Sequence, residues 1–284
     1  MTNNKAFEKM KERMELRGFA ISTQKTYLMH LRHFTNHFKL PFSEMNYDHV
    51  RDFLLHAIKV KKLSSEYINS SYSAIRFLYE GVFERDWNMK HIPRLKSKKK
   101  FPVVLSKEEI NTIFKNVSYL KHKAMLVTAY SPGLRVSEVS KLKTSDIDNK
   151  NMQIFIRQGK GNRDRFALLS KNTLYLLRNY YKQLHPKNTE WLFPGQNPSN
   201  PISSRTIQSA FKDAVKKASI TKKVTPHTLR HSFATHLVED GTNLIVVKDL
   251  LGHEKLETTM LYVHLAKKDI LSTRSPFDGG DFDV

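Results

Sequence analysis

The sequence predicts a mainly α-helical fold with one small antiparallel β-sheet, split into two units. Three observations carry this. Apolar residues recur at three- and four-residue spacing through most of the chain, the pattern of a helix with one buried stripe. Alternation of period two occurs only around MQIFIR (152–157) and its continuation at Phe166, Ala167 and Leu168. A stretch of prolines and lysines, HIPRLKSKKKFPVV (91–104), interrupts both patterns.

In chain order, Asn4 to Arg17 form a short charged helix closed by Gly18. Ser22 or Thr23 then caps a second helix with Tyr27, Leu31, Phe34 and Phe38 on one face. Pro41 and Asn46 break the chain before a third helix through Val50, Phe53, Leu54 and Ile58. Ser64 and Ser65 open a fourth, carrying Tyr67, Ile68, Tyr72, Ile75, Leu78 and Tyr79. This makes residues 1–90 a four-helix unit, with Lys and Arg interleaved with Tyr and His on its exposed faces. Residues 91–105 read as an extended linker. Its lysines Lys96, Lys98, Lys99 and Lys100 repel one another unless a polyanion lies beside them, so phosphate contacts are expected there.

Ser106 to Glu109 is a capping box, so the second unit spans 106–284. Helices follow through Ile110–Phe114 and Leu120–Tyr130. In SPGLRVSEVSKL, Pro132 and Gly133 turn the chain and put Arg135 at the head of the next helix, with Glu138 in its first turn. The strands come next, joined by a turn at Gly159–Asn162; a lysine between two glycines on a hairpin tip, Lys160, can reach across a groove into a site. Arg163 and Arg165 follow closely and are expected to contact phosphates. Helices return at Leu174–Tyr181 and Ile207–Ala218.

The densest chemistry lies between His227 and Tyr262. In HTLRHSFATHL, Leu229, Phe233, Leu237 and Val238 mark one buried helix, on which His227 and Arg230 share a face. Leu244, Val247, Leu250 and Leu251 make another, stopped by Gly252, and His253 follows at once. Two imidazoles, a guanidinium and the Tyr262 phenol suit attack on a phosphodiester. HTLRH, LLGH and a following tyrosine, together with GLRVSE upstream, resemble the tyrosine recombinases, the phage-integrase family, nearest to its Xer-like and integron-type members. The resemblance covers nearly the whole chain.

That resemblance implies a helical SAM-like core-binding domain and a catalytic domain that close on duplex DNA as a clamp. It implies strand cleavage by Tyr262 with a 3′-phosphotyrosyl link, with Arg135 and Arg230 on the phosphate, His227 and His253 beside it and Lys160 as general acid. No metal and no other cofactor is implied. The partners it implies are double-stranded recombination sites, three further copies in a tetramer on two duplexes, and accessory DNA-bending or partner recombinase proteins. The tail after Tyr262 gives one short helix, Leu265 to Leu271, and is expected to dock on a neighbouring protomer. Nearby cations are expected to help the phenol ionise from its ordinary pKa of about 10.

Charge agrees with a nucleic-acid partner. The 284 residues hold 48 Lys and Arg against 27 Asp and Glu, a net charge of +21, with pI near 9.9. No long apolar run or amphipathic anchor suggests a membrane, and MTNNKAFEKMKERME has no apolar leader, so a cytoplasmic, nucleoid-associated bacterial protein is expected. With no cysteine, disulfides and thiolate metal sites are excluded. His227 and His231 stand four apart as in a zinc helix, but Arg230 between them opposes a cation, and His231, His236 and His264 read as structural or surface residues. A type IB topoisomerase-like enzyme and a DNA-binding protein without catalysis are the alternatives. The separate helical unit and compact length disfavour the first, and the full set of catalytic residue types disfavours the second.

Overall fold

The computed structural model describes residues 2–85, 87, 94–96, 101–157, 164–184 and 189–266. The chain divides into two compact units at Lys99–Lys100, inside the basic stretch.

The first unit is four helices: α1 (Asn3–Leu16), α2 (Ile21–Phe38), α3 (Tyr47–Lys59) and α4 (Ser65–Gly81). Their stripes meet in a core rich in aromatic and sulfur side chains, among them Met10, Met14, Phe34, Phe42, Tyr72, Ile75 and Leu78. Asn46 caps α3 by accepting from the Asp48 and His49 amides, and Ser64 caps α4 at the Tyr67 amide. The start of α2 differs from expectation. Its N-cap is Ala20, so Ser22 and Thr23 lie inside the first turn, where the Ser22 carbonyl accepts from Thr26 Oγ1. Gln24 instead reaches back to the Phe19 carbonyl at 2.9 Å and ties the turn before α2 to the helix.

The second unit opens with α5 (Lys107–Lys115), whose capping box forms as expected: Ser106 Oγ accepts from the Glu109 amide, and Glu109 Oε2 from the Ser106 amide at 2.8 Å. Then come α6 (Leu120–Tyr130), α7 (Val136–Ser140) and a 3-10 turn at Thr144–Asp146. Strands β1 (Ile147–Asp148), β2 (Gln153–Ile156) and β3 (Arg165–Leu168) form an antiparallel sheet in sequence order. Ile154 pairs with Ile147 on one side and Ala167 on the other, burying that row, while Phe155 and Phe166 pair on the outer face. Helices α8 (Lys171–Gln183), α9 (Ser204–Lys217), α10 (Pro226–Glu239), α11 (Leu244–Leu251) and α12 (Glu257–Val263) complete the unit.

The organising element is α10, which packs against α6, α9, α11 and α12. It starts on Pro226, where a missing N–H costs nothing, and is buried on several sides at Leu229, Phe233, Ala234 and Val238. Its polar residues are therefore buried too. Ser232 Oγ bonds the Thr228 carbonyl and the Leu105 amide, and His236 bonds the Tyr130 hydroxyl. The last helix, α12, escaped the sequence reading. It carries Tyr262, and its apolar stripe is too short to announce itself. Of the expected helix at Leu265–Leu271, Leu265 and Ala266 form a turn, and the rest lies outside the described residues.

Candidate active site

The site is assembled from three chain turns meeting on α10. The first follows α6. Gly133 has φ +67°, and a Cβ there would stand 2.3 Å from a ring carbon of Phe233, so only glycine fits. The tight turn aims the Gly133 carbonyl at α10 and sets Arg135 as N-cap of α7. Arg135 Nη1 donates to Glu138 Oε1 at 2.8 Å and its backbone N–H to Glu138 Oε2 at 2.8 Å.

From α10 comes Arg230, only 4% exposed. Its guanidinium forks between two backbone carbonyls, Nη1 to Gly133 at 2.9 Å and Nη2 to Leu251 at 2.5 Å, with Glu138 Oε2 at 3.8 Å. A flexible surface cation has become a fixed one, aligned by backbone at both prongs. Leu251 ends α11, and Gly252 leaves it in the left-handed region at φ +62°. His253 follows, with Nδ1 2.9 Å from Thr259 Oγ1. Tyr262 is 2% exposed. Its ring stacks on His253 with centroids 6.2 Å apart, and its hydroxyl lies 3.1 Å from His231 Nδ1.

Charges respond to this enclosure. Burial alone would raise the Glu138 carboxyl, but hydrogen bonds and charge from Arg165, then from Arg135, pull it down to about 2. Burial, then Arg135, lowers Arg230 to about 10. His253 falls to about 4 through burial and the charges of Arg230, Arg135 and Arg165. His227 is lowered by desolvation, then by Arg230 and Arg135. The Tyr262 phenol departs from expectation: burial raises its pKa, and the opposing charges of Arg230 and Arg135 do not win.

Arg165, expected on DNA phosphates, turns inward. Its Nη1 and Nη2 donate to the two Glu138 oxygens at 2.9 Å each, and its Nε to the Leu250 carbonyl at 3.0 Å. The side chain is 10% exposed, and each of its three nitrogens already donates inside the protein. Its buried carboxylate partner turned it inward, and Gly252 makes room for it, since a Cβ there would meet Arg165 Cδ at 2.8 Å. Lys160 and Arg163 lie outside the described residues, as do Lys98, Lys99 and Lys100; Lys96 is exposed.

The sequence reading missed two residues. Glu138 had been given only a place near a helix dipole, yet it joins three arginines. His231 had been set aside as structural, yet it touches the Tyr262 oxygen. Its signal was present, since 227, 230 and 231 share one helix face, but nothing local says which of the two histidines meets Tyr262. Beside Arg135 opens a cavity of about 580 Å³, lined also by Lys141, Lys143, Arg157 and Trp191. Arg157 is held there by Asp146 at 2.8 Å. Among the described residues no group of three His, Cys, Asp or Glu could hold a metal ion. A fixed guanidinium pair, of which Arg135 lines a basic cavity, with neutral imidazoles and a phenol close by, can receive a phosphodiester and stabilise charge building on its oxygens.

Comparison with known proteins agrees with this chemistry. Residues 103–269 match the Phage integrase family, and residues 7–89 match the phage integrase N-terminal SAM-like domain. An integrase/recombinase of Sinorhizobium fredii is 37% identical over 95% of this chain and 88% of its own. Tyrosine recombinase XerA of Pyrococcus horikoshii is 31% identical over 95% of this chain and 92% of its own. The fold resembles that of XerH site-specific recombinase bound to a palindromic difH substrate, with TM-score 0.70 and 22% identity over 92% of this chain and 82% of the other. Among the described residues no helix is long and apolar enough to cross a membrane.

Proposed function

The chain belongs to the phage integrase family and is a tyrosine-type site-specific DNA recombinase, and we propose that it breaks and rejoins strands through a 3′-phosphotyrosyl link formed by Tyr262. Arg135 and Arg230 hold the non-bridging oxygens of the scissile phosphate, where a preorganised donor is worth about 3–4 kcal/mol in comparable sites. His253 hydrogen-bonds the same phosphate, and His227 stands by as donor or base. Lys160 protonates the leaving 5′-oxygen. No metal or nucleotide cofactor takes part.

The observation that carries this reading is that Arg135 and Arg230, held by one carboxylate and two backbone carbonyls, lie within electrostatic reach of the stacked pair His253 and Tyr262. Residues 1–90 act as the core-binding domain, 91–105 as the linker and 106–284 as the catalytic domain. Lys96, Lys98, Lys99, Lys100 and Arg163 supply phosphate contacts without sequence information. Four protomers work on two duplexes, coupled by the segment after Tyr262 docking in trans, with accessory DNA-bending or partner recombinase proteins setting direction. The test is covalent capture. A recombination site nicked near the cleavage point traps a 3′-linked adduct, Tyr262→Phe abolishes it, and DNA binding survives. An adduct persisting in Tyr262→Phe disproves the assignment.

A further inference from the structure

The contact between the Tyr262 hydroxyl and His231 Nδ1, 3.1 Å long, involves a histidine given no role above. Tyr262 is almost wholly buried, so its oxygen meets protein rather than bulk water. His253 lies flat against the Tyr262 ring with its Nδ1 directed to Thr259, and His227 is exposed one turn earlier on α10. The nitrogen the structure brings to the reacting oxygen is that of His231. We propose that His231 is a catalytic residue, the base that receives the Tyr262 proton as the phenol oxygen attacks phosphorus. The proposal rests on Tyr262 being the nucleophile.

The step balances without further reactants. The Tyr262 O–H bond breaks and its proton passes to His231 Nδ1, making an imidazolium. The freed electron pair forms the O–P bond. The P–O5′ bond breaks, its pair staying on the 5′-oxygen, which takes a proton from the general acid assigned to Lys160. On religation the imidazolium returns its proton to the tyrosyl oxygen. The step needs the tautomer with the proton on Nε2 and Nδ1 free to accept.

The surroundings favour the neutral ring. His227 and Arg230 lie beside His231 on α10, Arg135 acts on the same cluster from the head of α7, His253 follows α11 and Tyr262 comes from α12. Burial, then His227, then Arg230 lower the His231 pKa, so the ring is a neutral acceptor at neutral pH. Burial also raises the phenol, so a nucleophile with no acceptor at its hydroxyl would stay protonated. The weak base and the weak acid are matched only if transfer is concerted with attack. That assigns His231 a part in the transition state rather than in a standing phenolate.

The experiment is single-turnover adduct formation on a nicked duplex from about pH 6 to 9, for the wild-type chain, His231→Gln and His231→Ala. Both variants should be about 100-fold slower at neutral pH, the lower end expected for loss of a general base. Their rates should climb tenfold per pH unit where the wild-type rate is flat. Added imidazole should restore much of the rate to His231→Ala and none to His231→Gln, whose side chain fills the gap. Variants within about threefold of wild type at every pH, or faster than wild type because the contact restrains Tyr262, overturn the proposal. A measurement on the unaltered chain stands apart from folding defects. In 15N-histidine-labelled protein, His231 Nδ1 should resonate as an unprotonated acceptor near neutral pH and shift in Tyr262→Phe; a protonated Nδ1 overturns the proposal equally. Absence of any adduct in the wild type, or an adduct surviving Tyr262→Phe, would instead strike the reading of Tyr262 as nucleophile.

Discussion

The two units bury different things. In the helical unit the buried polar side chains among the described residues are Gln24, His30, Thr35 and Ser71, all uncharged as folded. The catalytic unit buries Glu138, Asp146 and Arg230, and places Arg135 and Arg165 nearly as deep. Burying charge is costly unless each ion is paired and hydrogen-bonded, and a hydrophobic replacement is often as stable. The helical unit keeps its described cations out of the core, where they stay solvated. The other unit, which holds guanidiniums in fixed directions, accepts the desolvation and meets it with a carboxylate and main-chain carbonyls. The difference teaches that rigidity of charge, rather than its amount, separates the two units.

The largest way to break that contrast is Glu138→Gln. It leaves Arg135, Arg165 and Arg230 facing one another without a counter-charge, and should cost about 3–5 kcal/mol, the range for orphaning a buried ion. Urea unfolding of the full chain would show a lowered midpoint, with covalent capture lost as well. The same carboxyl gives a sign in pH. Its folded pKa is depressed to about 2, so its contribution is complete above the ordinary carboxylate range and is lost as pH falls toward 2.

The helical unit has its own acid sensitivity, from a neutral group. His30 is 2% exposed, with Nε2 3.0 Å from Ser70 Oγ and Nδ1 2.8 Å from Ser71 Oγ. Burial, then His33, lowers it to about 4. A depressed folded value means that stability is present above the ordinary 6.5 and lost as pH falls from there through 4, up to roughly 3 kcal/mol at about 1.4 kcal/mol per pH unit. Trp87 sits in the core of this unit, so in Trp191→Phe its fluorescence should report the loss separately from that of His253 in the other unit. In His30→Gln the pH dependence of that Trp87 signal between 6.5 and 4 should vanish; its persistence would reassign the sensitivity.

Gly133→Ala should cost about 1–3 kcal/mol by overpacking against Phe233. It should also slow adduct formation, because the Gly133 carbonyl aims Arg230. Stability lost with the cleavage rate intact would show that Arg230 does not depend on this turn. The smallest effect belongs to the surface pair Lys107–Asp240, 2.9 Å apart and more than half exposed at both ends. Lys107→Ala should change stability by less than about 1 kcal/mol, and a larger value would mean that surface charge contributes more than the contrast allows.

Much of this molecule was legible without coordinates. Helical period, the Ser106 capping box, the Gly252 stop and the strand alternation are written in neighbouring residues, because hydrogen bonds three and four apart and a period of two make local structure a local property. The charge of +21 and the order of GLRVSE, HTLRH, LLGH and Tyr262 likewise pointed to nucleic acid and to the family. What only the tertiary structure decided is where those side chains turn. Arg165 meets Glu138 across 27 residues, Arg230 meets Gly133 across 97 and His231 meets Tyr262 across 31. Burial belongs to such long-range contacts. Burial and the buried partner made Arg165 an inward strut, raised the Tyr262 phenol against its cations and brought His231 to the Tyr262 oxygen, none of which a spacing of residues can encode.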